Sequence, residues 1–112
     1  PAKMKNFGRT VIACKVEHDV SNDKTAFEYF QYGRTMALLP LRSYESSIVI
    51  TIASDKAQKL LDMADDEFNA DMETHLNSRF GQMRVQTKRI AYPLVGVHAN
   101  RFYANRFAVI GD

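Results

Sequence analysis

The chain has 112 residues and a net charge of +2, with 46% apolar and 25% charged residues. That is the balance of one folded domain with one modest core, too short for two. No apolar run approaches the roughly eighteen residues that a membrane-crossing helix needs, and no apolar stretch follows the N-terminal Pro-Ala-Lys-Met-Lys-Asn as in a secretory signal. A single cysteine, Cys14, excludes an internal disulfide and fits a reducing, cytoplasmic setting.

Thr10 to Glu17 reads as a strand, with Ile12, Cys14 and Val16 on one face and Val11 and Ala13 on the other. The polar run Asp19 to Lys24 is a loop. Ala26 to Tyr32 is a second, aromatic strand, punctuated by Gly33-Arg34, and Thr35 to Arg42 is a third. Pro40 cannot donate to a ladder, so this strand ends, bulges or lies at an edge there. Ser43 to Ser46 has turn chemistry. Ser47 to Ala53 is the clearest strand, because β-branched side chains fit a pleated surface. Strands three and four therefore predict a hairpin.

The period then changes. Ser54 is placed to cap a helix carrying Ala57, Leu60, Leu61 and Ala64 at helical spacing. Asp65 is placed to cap a second helix, with Phe68, Met72 and Leu76 as its apolar stripe and Gly81 as its stop. From Arg84 the chain is extended again, and Pro93 bends or ends a strand. Phe107 to Ile110 is an apolar run without alternation, as in a strand buried on both faces. The predicted fold class is α+β: a mostly antiparallel sheet with two short helices packed on one side.

No residue set announces chemistry by itself. His18, His75 and His98 show no metal-ligand spacing with each other or with Cys14, so no metal site is expected. There is no Gly-rich phosphate loop, no nucleophile elbow, and no candidate catalytic acid, base or nucleophile. Residues 54 to 73 hold seven acids against Lys56 and Lys59, whereas residues 74 to 111 hold six bases and no acid. A basic third of that kind attracts anionic partners or is neutralised by the acidic helices beside it. The stretch Arg101-Phe-Tyr-Ala-Asn-Arg-Phe107 has the aromatics and cations of a single-strand binder without a recognised module, so nucleic acid is not expected as a partner.

Several segments taken in order carry a resemblance: Ala37-Leu-Leu-Pro-Leu41, Asp65-Asp-Glu-Phe68, Tyr92-Pro-Leu94, His98-Ala-Asn-Arg-Phe102 and Phe107-Ala-Val-Ile-Gly-Asp112. Together they resemble the flavin-dependent hydroxylases of ubiquinone biosynthesis, of the para-hydroxybenzoate-hydroxylase-like class, over essentially the whole chain. The resemblance implies a fragment of an FAD-dependent monooxygenase. Residues 1–106 would form the substrate-side domain, and residues 107–112 the truncated first strand of the segment returning to the FAD domain. Gly111 and Asp112 would be the pair that meets the flavin's ribityl chain. Tyr29, Phe30, Gln31, Met36, Ala37, Leu38 and Leu39 would wall the substrate pocket.

The implied parent hydroxylates a polyprenyl phenol with dioxygen and FAD, reduced by NAD(P)H or another donor. It would be cytoplasmic or peripheral on the inner membrane face. The Gly-x-Gly-x-x-Gly that holds FAD in this class is absent from the chain, so the piece alone is expected to be inactive, to bind no FAD and to self-associate through surface that is interior in the parent. The alternative is a free-standing binding domain using its basic C-terminal third.

Overall fold

A computed structural model describes residues 8–94. The elements run β1 (Arg9–His18), β2 (Phe27–Gln31), β3 (Arg34–Arg42), β4 (Glu45–Ala53), α1 (Ser54–Asp62), α2 (Asp65–His75), β5 (Met83–Val85) and β6 (Ile90–Leu94). The strands form one sheet in the order β2-β3-β4-β1. β5 and β6 share the outer edge of β1, β5 against Val16 to His18 and β6 against Arg9 to Ala13. Every pairing is antiparallel.

Register follows from side-chain alternation. Ile12 pairs with Ile50 and Ile50 with Met36, so these side chains share one side. Cys14, Ile48 and Leu38 form the next row of that side. Both helices lie on it: Ala57 and Leu60 from α1, Phe68 and Met72 from α2, then Leu76 and Phe80 complete the main core. Each of these is almost fully excluded from solvent. Truncating Phe68 to alanine would therefore cost about 3–5 kcal/mol.

Pro40 sits within β3, and the register with β4 shifts between Pro40 and Arg42. Proline is tolerated because β2 reaches only as far as the Phe27–Leu38 pair. Beyond it, no described strand awaits a donated N–H.

Both expected helix caps differ. Ser54 is the first helical residue rather than the cap, and its hydroxyl is 2.8 Å from that of Thr10, fastening α1 to β1. Asp65 likewise opens α2, with Ala64 as the cap. The backbone N–H of Ala64 donates to Glu67 Oε1 at 3.4 Å, and three acids in the first turn face the positive end of the helix dipole. The stop comes before Gly81: α2 ends at His75, and Asn77 and Ser78 take φ of 56° and 57°. Asparagine tolerates that left-handed region well, so the helix ends without using the glycine.

Candidate functional site

The second side of the sheet differs in kind. Its rows run Tyr92–Val11–Thr51–Thr35–Phe30 and Ile90–Ala13–Val49–Ala37–Glu28, followed by Lys15–Ser47–Leu39. Val11, Ala13, Ala37, Leu39 and Val49 form a second apolar cluster with Leu94 packed on it, and no residue of either helix joins them. Small side chains occupy the middle of these rows, with Tyr92, Ile90, Leu39 and Phe30 toward the margins. The five central members are at most 8% exposed, so this side carries a second, buried apolar cluster whose accessible margin lies at Ile90 and Tyr92.

A cavity of about 400 Å³ opens at its β1 edge, lined by Ala13, Lys15, Ser47, Thr87, Ile90 and Tyr92 among others. Its origin is local. Between the Val16–Val85 and Ala13–Ile90 pairs, the incoming chain uses two more residues than β1 does. The surplus around Thr87 and Lys88 swings out of the ladder, as a bulge does beside many binding sites. Thr87 Oγ1 still accepts the Lys15 backbone N–H at 3.0 Å, which fixes the mouth of the cavity. Hydroxyls of Ser47 and Thr87 and the ammonium groups of Lys15 and Lys88 supply its polar points, Lys15 lying 3.8 Å from Glu45.

The seven pocket candidates divide between the two sides. Phe30, Ala37 and Leu39 lie on the helix-free side, Phe30 at its rim and 78% exposed. Met36 and Leu38 point into the helix-covered core, and Tyr29 packs against it. Gln31 alternates to that same side, its amide donating to the His75 carbonyl at 2.6 Å. Among the described residues the Tyr29 hydroxyl and Gln31 Oε1 are buried without a hydrogen-bond partner. A single ligand cannot touch both sets across the sheet. Val11, Ala13, Val49 and Tyr92 share the helix-free side instead; the alternation of β1 and β4 carries that signal, once the helix side is known.

Gly111 and Asp112 lie outside the described residues, as do His98 and the segment 101–107. The described residues contain no glycine-rich cradle for a dinucleotide. No group of three or more metal-ligating side chains occurs among them. His18 is buried against Ser46, and His75 sits on Asp71.

Among the described residues of the basic C-terminal third, the arginines are spent on the fold. Arg79 stacks over Phe27 at 4.5 Å. Arg84 binds Glu17 at 3.1 Å and Asp19 at 3.0 Å, and these acids raise its pKa. Arg89 lies over Phe68, donates to the Met63 carbonyl and faces Asp65 at 3.6 Å. Lys88 remains exposed.

No family model matches the chain. Among curated proteins it is 41% identical over 109 residues to ubiquinone hydroxylase UbiM of Neisseria meningitidis, covering 97% of this chain and 24% of that protein. It is 34% identical over 106 residues to ubiquinone hydroxylase UbiL of Rhodospirillum rubrum, covering 95% of this chain and 25% of that protein. Among solved structures, the flavin-dependent halogenase CmlS shares the fold at a TM-score of 0.57 with 9% identity, over 79% of this chain and 17% of that one. The chain thus spans about a quarter of the length of the curated relatives it matches. In sequence, over nearly its whole length, this chain belongs to the family of the ubiquinone hydroxylases.

Proposed function

We propose that the chain is the substrate-side segment of a flavin-dependent monooxygenase that hydroxylates the ring of a polyprenyl phenol, and that the helix-free side of the sheet is the wall against which the ring lies. The observation that carries this reading is the cavity of about 400 Å³ at the β1 edge of the helix-free side, where Ile90 and Tyr92 stay accessible beside a buried apolar cluster. Large apolar ligands with few polar anchors take sites of this character.

FAD, held by parts of the parent beyond this segment with Gly111 and Asp112 as proposed contacts, would supply the activation of dioxygen. Reducing equivalents would come from NAD(P)H or another donor. The described residues do what a wall does. Val11, Ala13, Ala37, Leu39 and Val49 exclude water behind the cavity, Ile90 and Tyr92 orient the ring by shape, and the Ser47 hydroxyl offers a hydrogen bond to a ring oxygen. The isolated segment is proposed to be inactive, to bind no FAD and to self-associate.

The test uses the full-length protein that carries this segment. Bound flavin and dioxygen-dependent formation of a hydroxylated prenyl phenol are expected. Ile90→Trp, which narrows the cavity from its exposed wall, should raise KM for the phenol while flavin content stays unchanged. A full-length protein without flavin, or an Ile90→Trp enzyme with unchanged kinetics, would refute the reading.

A further inference from the structure

We infer that the cavity beside Thr87 selects a ring carrying an anionic oxygen, as carboxylate or phenolate, and that Lys88 is its specificity-determining residue. The inference rests on the proposed function, since it names what the ring must carry to suit that same cavity.

The cavity joins an apolar wall to a cationic rim. Ile90 and Tyr92, 46% and 41% exposed, offer the apolar surface against which a ring can lie. Lys15 and Lys88 supply its charge, and no aspartate or glutamate of the described residues lines it. The Cys14 thiol, also at this cavity, is kept neutral by burial, which pushes it up to about 12.

One hydroxyl fixes the backbone of both lysines. Thr87 Oγ1 accepts the Lys15 backbone N–H at 3.0 Å and donates to the Lys88 carbonyl at 3.2 Å. The Lys15 carbonyl accepts the Gln86 backbone N–H at 2.8 Å. Only the side-chain stems remain to be ordered when an anion arrives, which keeps the cost of binding low. Thr87 has spent its hydroxyl on this clamp, and Ser47 is left to hydrogen-bond the ligand.

Nearby acids do not cancel the charge. Glu45 lies 3.8 Å from Lys15, but Arg42 shares its carboxylate at 3.4 Å. Asp65 lines the adjoining cleft with Lys88 and Arg89; it faces Arg89 at 3.6 Å and is 78% exposed, so water and salt screen it. Lys88 is exposed and joins no ion pair among the described residues. In a mostly apolar cavity a few placed polar groups decide which of several similar rings is taken. Here those groups favour a negative oxygen over a neutral one. A ring carboxyl is ionised at neutral pH, having a pKa of about 4, whereas a phenol presents the same anionic oxygen only as pH approaches about 10.

The experiment is equilibrium dialysis of the full-length protein against three short-tailed rings. They are a dimethylallyl phenol bearing a ring carboxylate, the same phenol without it, and that phenol's methyl ether, which cannot ionise. An anionic ring is expected to bind more tightly than the ether, with a lead that shrinks in salt. A lead for the carboxylated ring assigns the carboxylate; a plain phenol that overtakes the ether as pH rises assigns the phenolate. Lys88→Gln should remove about fivefold of the lead, and Lys88→Arg should retain it. Circular dichroism establishes that both variants fold. Equal binding of all three rings at every pH, or a Lys88→Gln protein with the parent's preference, would overturn the proposal. Equal losses in the two Lys88 variants would do the same, since charge would not be the cause. Ile90→Trp separates the two levels. Weaker binding of all three rings in that variant, with no anion preference in the parent, keeps the ring in the cavity and overturns only the charge selection. Unchanged binding in Ile90→Trp overturns the reading beneath it as well.

Discussion

The Nε2 atom of His18 lies 2.8 Å from the hydroxyl of Ser46, and neither residue reaches solvent. His18 Nδ1 faces the Val20 carbonyl at 2.7 Å, which can only accept, so the network assigns the proton to Nδ1 and makes Nε2 an acceptor from Ser46. Ser46 in turn accepts from Asn22 at 2.9 Å, and the same amide reaches the carbonyls of Arg42 at 2.7 Å and Glu45 at 3.1 Å. Three side chains thus join the end of β1, the 19–25 loop and the β3–β4 turn. Ser46→Ala leaves Nε2 buried without its donor and should cost about 1–3 kcal/mol in urea denaturation. Ser47→Ala, on the other side of β4, should stay within about 0.5 kcal/mol.

Arg34 and Asp71 tie β3 to α2 with side chains only 12% and 18% exposed. A pair this shielded costs more to break than a surface one, because the remaining charge is left poorly solvated. Asp71→Asn should destabilise by about 1–3 kcal/mol, and a double-mutant cycle with Arg34→Met should return a coupling of about 1–2 kcal/mol. A coupling near zero would show that the pair is effectively solvated.

Burial pushes the Cys14 thiol up from 9.0 to about 12, with the Arg89 charge pulling weakly the other way. The folded state therefore prefers the neutral thiol. Its contribution is complete below pH 9.0 and is lost as pH climbs from there toward about 12, at up to about 1.4 kcal/mol per pH unit. Cys14→Val should flatten that alkaline decline in a pH series of denaturation curves. At neutral pH iodoacetamide should label the thiol only after unfolding.

Two glycines separate conformation from space. Gly33 and Gly81 take φ of 87° and 71°, but a methyl at 33 meets nothing within 4 Å, whereas at 81 it comes to 3.0 Å from the Asp19 Cβ. Gly33→Ala should cost about 1–2 kcal/mol from backbone strain alone. Gly81→Ala should cost clearly more, since the 19–25 loop must also give way. Thermal midpoints of the two variants check the order.

How much of this is legible in the residues depends on the range of the interaction. Ser47 to Ala53 declares itself a strand because Ile48, Val49, Ile50 and Ile52 leave little other choice, and Ala57, Leu60, Phe68 and Met72 announce helices by spacing. Pro40 correctly marks an irregularity, since its missing N–H is a local fact. Ser54 misleads because capping competes with a partner 44 residues away, Thr10, which no local rule sees. The pocket candidates split for the same reason: alternation says that Met36 and Ala37 oppose each other, but only the packed helices say which side is sealed. The cavity near Thr87 arises from a mismatch between distant strands, so no motif encodes it.

The late arrival of β5 and β6 on β1 has a consequence for how the molecule is made. β2, β3 and β4 are joined by short turns and assemble from neighbours, but β1 receives its outermost partners from residues about seventy to eighty positions downstream. During synthesis the flank of β1 must wait, bare, while both helices emerge, and loop closure over that span is slow. Expression at low temperature or with chaperones that shield nascent strands should therefore raise the yield of native material more than any substitution in the hairpins.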